Sequence, residues 1–170
     1  FKDSIDSKTL RKIYRDLFVQ PMVHGVPPHM RPPKFKVYNE SSRKIYIPKY
    51  YGISEFGIPE KVDIPEPIPI NLTFKGSLRP KQDPIVDSFL KHKNKPSGYG
   101  GIISVPCGWG KTVMSIYIIS QLKVKTLIIV HKEFLMGQFE EEIKTFLPNA
   151  KIGKIQGKTI DVEGKDIVLG

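Results

Sequence analysis

The chain has 170 residues, of which 39% are hydrophobic, so it can bury the core of one ordinary domain or of two small ones. Its 27 lysines and arginines exceed its 17 aspartates and glutamates, and the net charge of +10 favours a polyanionic partner, with nucleic acid as the first candidate. The single cysteine, Cys107, excludes an internal disulfide framework and fits a reducing compartment, and no apolar run is long enough to predict a membrane partner.

The first twenty residues predict an amphipathic helix, with Ser7 as a plausible N-cap. Its apolar side chains recur at helical spacing: Leu10, Ile13, Tyr14, Leu17 and Phe18. Basic side chains lie mainly on the other face: Lys8, Arg11, Lys12 and Arg15. This basic face could contact phosphates, but a solvated surface is the favoured interpretation.

Residues 20–33 are rich in proline and predict a loop, in which His24 and His29 are loop residues rather than metal ligands. Residues 34–38 and 43–47 are rich in β-branched and aromatic side chains, and residues 39–42 favour a turn, so we expect a β-hairpin.

Tyrosines and cations are interleaved in and just after the second predicted strand, with Tyr46, Tyr50 and Tyr51 among Arg43, Lys44 and Lys49. Such a pattern suits base stacking with phosphate contact. A small hydrophobic core with tyrosine edges is the alternative, and it is the favoured one.

Prolines at nearly alternate positions between residues 58 and 70 predict an extended connection. Proline becomes less frequent after residue 75. We therefore predict two parts, an accessory module of mixed α and β structure over residues 1–75 and a second module over residues 76–170.

The second module is predicted to begin with a helix that follows Ser77 and turns Ile85, Val86, Phe89 and Leu90 inward, with Asp83 as a possible cap. A polar loop over residues 91–101 then delivers the chain to an apolar strand over residues 101–105.

A glycine-bearing turn joins this strand to the next apolar run, and its sequence is Pro106-Cys107-Gly108-Trp109-Gly110-Lys111-Thr112. Strand, glycine turn and Gly-Lys-Thr opening a helix form the pattern of a phosphate loop. Lys111 would reach the β and γ phosphates, and the Thr112 hydroxyl would ligate Mg²⁺. The general pattern has glycine where this chain has Val105, and a strand that merely ends in a glycine-rich turn is the disfavoured alternative.

Strands and helices alternate in the rest of the chain, which predicts a wound α/β fold with a mostly parallel sheet. Helices are expected from Lys111 to about Leu122 and over residues 132–147, and short strands over residues 151–156 and 166–169. The continuous apolar run at residues 126–130 predicts a strand that is buried on both faces.

Four segments in this order and spacing resemble the superfamily 2 helicases, in the branch of the excision-repair helicase and the helicases of large DNA viruses. They are Leu78-Arg79-Pro80-Lys81-Gln82, the phosphate loop, Thr126-Leu127-Ile128-Ile129-Val130-His131-Lys132, and Ile152-Gly153-Lys154-Ile155-Gln156-Gly157 with the following Asp166-Ile167-Val168. In this branch an apolar residue before Pro-Cys-Gly is usual, so Val105 fits. The resemblance is firm over residues 76–170 and loose over residues 35–75.

The resemblance implies an incomplete RecA-like P-loop domain that uses ATP and Mg²⁺ and acts on DNA, with RNA as the other possibility. It implies that the Gln82 amide contacts the adenine edge with Arg79 nearby, and that residues 106–112 hold the phosphates. The implied nucleic-acid contacts are His131, Lys132 and, with less specificity, Lys154. The compartment would be the cytoplasm for a viral protein.

The acidic Asp-Glu pair that such ATPases need after an apolar strand is absent from this sequence, because Glu140, Glu141 and Glu142 fall in a predicted helix. The chain is therefore interpreted as an N-terminal fragment that binds nucleotide without turnover. Two alternatives are a basic nucleic-acid or protein docking module attached to an ATPase, and another kind of P-loop NTPase.

Overall fold

The computed structural model describes residues 1–92 and 100–170, and the larger part of the polar loop predicted for residues 91–101 lies outside the described residues. The described chain forms two compact units, Phe1–Val62 and Asp63–Gly170. Within the described ranges, no helix is long and apolar enough to cross a membrane.

Unit 1 begins with a short 3-10 turn at Lys2–Ser4 and the helix α1, Ser7–Asp16. The N-cap is Asp6, whose carboxylate accepts hydrogen bonds from the backbone N–H groups of Lys8 and Thr9, at 2.9 and 3.0 Å. The prediction of Ser7 as the cap is therefore wrong by one residue. The helix is also shorter than predicted, because the chain turns into strand β1, Phe18–Val19, directly after it.

The strands of unit 1 pair differently from the prediction. Strand β2, Phe35–Lys36, pairs antiparallel with β1, while β3, Asn39–Glu40, pairs with β4, Ile45–Tyr46. The turn of the hairpin is therefore at residues 41–44, where the backbone N–H of Ser41 donates to the Lys44 carbonyl at 2.8 Å.

A helix that the sequence analysis missed, α2, covers Lys49–Phe56. Pro48 precedes it and Gly57 ends it with φ of +84°. Its apolar side chains have no regular helical spacing, which is why periodicity did not reveal it. The buried apolar side chains of unit 1 are Ile13 and Leu17.

Unit 2 starts earlier than predicted, because residues 68–75 pack into it. Pro69 forms an antiparallel bridge with Val124, and the backbone N–H of Ile70 donates to the Lys123 carbonyl at 2.9 Å. Leu72 is buried in the core, and the Phe74 ring stacks on Phe146 with centroids 5.0 Å apart. The boundary therefore lies between Val62 and Asp63, not after residue 75.

The helices of unit 2 are α3, Asp83–Lys91; α4, Lys111–Leu122; and α5, Glu133–Phe146. Its strands are β5, Thr126–Ile128; β6, Ile152–Gln156; β7, Thr159–Ile160; and β8, Ile167–Leu169. The strand order is β5-β8-β6-β7, with β5, β8 and β6 parallel and β7 antiparallel at the edge. The predicted α/β class with a mostly parallel sheet is confirmed.

Helix α4 lies between two apolar clusters and therefore fixes the position of the loop that precedes it. Ile116 and Ile119 pack with α5 and the sheet, and Met114 and Ile118 pack with Val86 of α3. Four of these side chains belong to α4. Because they pack on both sides of the helix, they fix the position of its first residue, Lys111.

Two predicted strand features are wrong. Residues 101–105 form no strand, because no hydrogen-bonded neighbour flanks them among the described residues, and Ile102 is 94% exposed. Strand β5 is not buried on both faces, since Leu127 is 53% exposed. In the described part of unit 2, β5 is an edge strand whose second face lacks a covering layer.

Candidate nucleotide-binding site

The predicted phosphate loop is an irregular turn that ends at the first residue of α4. Gly108 and Gly110 both have φ of +75°, which side chains with a Cβ rarely adopt. Gly110 is the N-cap of α4, and an added Cβ there would lie 2.5 Å from Nε2 of Gln82. The left-handed backbone therefore favours glycine at this position, and any larger residue would also displace the Gln82 amide.

Lys111 folds back over the loop. Its Nζ donates hydrogen bonds to the carbonyl oxygens of Val105 and Pro106, each at 3.0 Å. The side chain is exposed, and no acidic residue stands in the first turn of α4. Exposed carbonyl contacts are weak partners for an ammonium group, so an arriving phosphate could replace them.

Thr112 follows at the second helical position and is partly buried. The N-terminus of α4 adds unpaired backbone N–H groups and partial positive charge beside Lys111. These donors fit a polyphosphate. Among the described residues no group of three or more histidine, cysteine, aspartate or glutamate side chains could hold a metal ion. In this loop the Thr112 hydroxyl would be a ligand to a magnesium ion that the nucleotide carries.

Gln82 is a buried connection between α3 and the loop. It is 2% exposed and lies at the N-cap position of α3. Its Oε1 accepts from the backbone N–H of Arg79 at 2.8 Å, and its Nε2 donates to the carbonyl of Trp109 at 2.8 Å. Each amide atom keeps one further hydrogen-bonding position, through which an adenine edge would have to bind. The Arg79 residue itself is exposed.

Trp109 contacts a residue that the sequence analysis did not select. The Nζ of Lys81 lies 4.5 Å from the centroid of the indole ring, within cation–π range. Lys81 occupies the variable position in the Leu-Arg-Pro-x-Gln segment, so the motif gave no reason to choose it. The signal that could have found it is a second cation directly beside Gln82.

Two of the predicted nucleic-acid contacts, His131 and Lys132, are exposed between β5 and α5. Lys132 is the N-cap residue of α5 and makes no side-chain capping hydrogen bond. The segment follows the carboxyl end of a parallel strand, where ligands bind in open α/β sheets.

The third predicted contact, Lys154 on β6, is already paired. Its Nζ lies 2.7 Å from Oε2 of Glu140, and Lys144 contacts Oε1 of the same carboxylate at 2.6 Å. The hydrogen bonds from Lys144 and then Lys154 lower the pKa of Glu140 below its usual range. Among the described residues, no hydrogen bond or ion pair joins these three predicted contacts to the phosphate loop.

A family model described as "Type III restriction enzyme, res subunit" matches residues 75–170. A protein of Acanthamoeba polyphaga mimivirus named "Putative ATP-dependent RNA helicase" is 36% identical over 171 residues, covering 98% of this chain and 33% of that protein. The DNA 3'-5' translocase XPB2 of Sulfurisphaera tokodaii is 33% identical over 104 residues, covering 58% of this chain and 22% of that protein.

A solved structure, the SWI2/SNF2 ATPase core of Sulfolobus solfataricus in complex with dsDNA, is 23% identical with a TM-score of 0.49, covering 64% of this chain and 23% of that chain. The sequence matches confirm the resemblance to helicases. The chain spans about a third or less of the length of these curated relatives.

Proposed function

Because the chain belongs to the family of the type III restriction enzyme res subunit, we propose that it is the nucleotide-holding part of an ATP-dependent nucleic-acid helicase or translocase. The observation that carries this proposal is the loop at the start of α4, with two left-handed glycines and an exposed Lys111 whose Nζ donates to two carbonyl oxygens in the described structure. Such a loop offers backbone N–H groups and a cation, which are the groups that a triphosphate needs.

In this proposal the loop residues act directly on the phosphates. Lys111 leaves the Val105 and Pro106 carbonyls and binds the β and γ phosphates, and Thr112 ligates Mg²⁺. Gln82 and Arg79 supply the contact to adenine. Because Gln82 also bonds the loop through the Trp109 carbonyl, base recognition and the shape of the loop are mechanically connected.

Turnover is a separate matter from binding. Hydrolysis in this class needs acidic groups that hold Mg²⁺ and orient the attacking water, and residues 1–170 contain no Asp-Glu pair. We therefore propose that these residues bind ATP with negligible hydrolysis.

The proposed polymer is DNA. Two relatives, from Sulfurisphaera tokodaii and Kineococcus radiotolerans, are named as a DNA 3'-5' translocase and a DNA 3'-5' helicase, whereas the mimiviral relative is named as an RNA helicase. His131 and Lys132 would contact the phosphate backbone, and this contact is common to both polymers.

A second candidate function is that unit 1 is a basic docking module for nucleic acid. The observation in its favour is that unit 1 is a compact unit of its own, and that α1 presents Lys8 and Arg11, both exposed and without an ion pair in the described structure. Lys12 and Arg15 are less available, because both are paired with Asp16.

The two candidates differ in where nucleic acid binds, and a pair of double variants of the whole chain separates them. We expect that replacing His131 and Lys132 by alanine weakens binding of duplex DNA and lowers the slope of log affinity against log salt by about one for each phosphate that the protein no longer neutralises. Replacing Lys8 and Arg11 by alanine is expected to leave the affinity for duplex DNA and the salt slope unchanged. The measurement is fluorescence anisotropy at several salt concentrations, with duplex RNA as the comparison.

The reverse pattern, with weaker binding confined to the Lys8 and Arg11 variant, would show that unit 1 is the docking module. If the chain binds duplex RNA more strongly than duplex DNA, the proposed polymer is RNA, and the proposed contacts at His131 and Lys132 stay the same.

A further inference from the structure

The contact between Lys81 and Trp109 brings together the variable positions of two separate motifs. Lys81 stands inside Leu78-Arg79-Pro80-Lys81-Gln82, and Trp109 stands between the two glycines of the phosphate loop. With Nζ 4.5 Å from the ring centroid, the ammonium group is attracted by the negative face of the indole. Neither position is specified by the motif that surrounds it, so the motifs alone do not predict this contact.

Buried structure holds both partners beside the loop. The Trp109 carbonyl is bonded to Nε2 of Gln82, and Oε1 of Gln82 is bonded to the N–H of Arg79. Lys81 is the residue directly before Gln82. The backbone on both sides of the cation–π contact is therefore fixed by one side chain that is 2% exposed.

The charge of Lys81 has no acidic partner in the described structure, where its contact is the indole face. The ion pairs of unit 2 join other lysines, namely Lys144 and Lys154 with Glu140, and Lys165 with Asp161. A cation–π contact at an exposed site is weaker than a charged hydrogen bond to phosphate. A bound triphosphate would therefore attract this ammonium group away from the ring.

We propose that Lys81 is a second phosphate-binding cation of the nucleotide site, held on the face of Trp109 until the triphosphate binds. The inference rests on the proposed function, since it requires that the loop holds a nucleotide. In this proposal two lysines contact the triphosphate. Lys111 reaches it from the first turn of α4, and Lys81 reaches it from the segment before α3. Trp109 is the only tryptophan of the chain, so its emission reports the departure of Lys81.

The test is calorimetric titration of the whole chain with ATP–Mg²⁺ and with inorganic tripolyphosphate. We expect Lys81→Gln to bind both ligands about tenfold more weakly, and Lys81→Arg to bind within about twofold of the wild type. The matched control is Lys91→Gln, which removes the same charge from an exposed position of α3 and is expected to bind as the wild type does. Thermal unfolding of each variant establishes that it is folded.

Tryptophan fluorescence supplies a second readout. We expect ATP–Mg²⁺ to change the emission of Trp109 in the wild type and to change it much less in Lys81→Gln, where no ammonium group leaves the ring. Equal affinities of Lys81→Gln and Lys91→Gln overturn the inference, and so does weaker binding of ATP without weaker binding of tripolyphosphate. If the wild type binds neither ligand, the proposed function fails together with it.

Discussion

Among single residues, Gln82 combines two roles. Its amide stabilises the loop in the absence of nucleotide, and it is also the predicted contact to adenine. The resemblance assigns its amide to adenine, while the structure uses one donor and one acceptor of that amide to join the Arg79 N–H to the Trp109 carbonyl. Its burial to 2% exposure makes both bonds costly to lose.

We therefore predict that Gln82→Ala lowers the free energy of unfolding by about 1 kcal/mol even without nucleotide, because two partly buried hydrogen bonds from the Gln82 amide to the backbone are lost. Urea unfolding measures this change. The control is Gln138→Ala on the exposed side of α5, which is expected to have little effect. If Gln82→Ala is as stable as the wild type, Gln82 does not support the loop.

The sequence predicts a candidate site residue where a motif specifies that residue. It does not predict a residue that is near the site only because the fold brings it there. The Gly-Lys-Thr pattern predicted that α4 begins at Lys111, and the structure confirms this, while the roles of Lys111 and Thr112 at a nucleotide stay predictions. Lys81 was not found, because the sequence alone gives no sign that it lies on the ring of Trp109. The partner of Lys154 was likewise missed, since Glu140 comes from a helix distant in sequence.

At the scale of elements, Glu140 ties helix α5 to strand β6 through Lys154. The same carboxylate holds Lys144 one helical turn along α5. Lys154 can therefore contact nucleic acid only in competition with an internal partner.

We predict that Glu140→Gln strengthens binding of duplex DNA, because it removes the negative charge that competes for Lys154. The matched control is Glu141→Gln, the same change at the neighbouring exposed position of α5, which is expected to leave binding closer to the wild-type value. The measurement is anisotropy at low salt. Equal effects of the two variants would show that only net charge matters and that Lys154 is not a specific contact.

The same ion pairs predict a pH dependence of stability. The pKa of Glu140 is lowered in the folded state, so its contribution is present above the unfolded value near 4.5 and is lost as the pH falls through the lower folded value. As the pH falls below about 4.5, the free energy of unfolding of Glu140→Gln should accordingly decrease less than that of the wild type. Unfolding curves at several pH values measure this difference.

The elements that the sequence predicted best are the long helices of unit 2, because their apolar faces repeat over several turns. In unit 1, by contrast, strands of two residues carry no period, and Asn39 and Glu40, which favour a turn, pair with β4 instead. Tertiary pairing decides such short segments, and local preference does not.

At the scale of the whole molecule, the chain is two units with different degrees of internal burial. The buried apolar side chains of unit 1 are Ile13 and Leu17, whereas the described part of unit 2 buries two clusters around α4. A bound nucleotide should therefore raise the stability of unit 2, because the phosphate loop precedes α4, the helix between these two clusters.

In the proposed function residues 106–112 hold ATP, and calorimetry of the whole chain with ATP–Mg²⁺ measures this binding. The wild type is expected to bind ATP–Mg²⁺ more tightly than GTP–Mg²⁺ and to release no phosphate. Lys111→Ala is expected to bind roughly ten- to hundredfold more weakly, because a charged contact to phosphate disappears. Lys158→Ala, the control, removes an exposed lysine from the turn between β6 and β7 and should bind as the wild type does. Equal affinity of Lys111→Ala and the wild type for ATP–Mg²⁺ would show that Lys111 and its loop do not hold the phosphates.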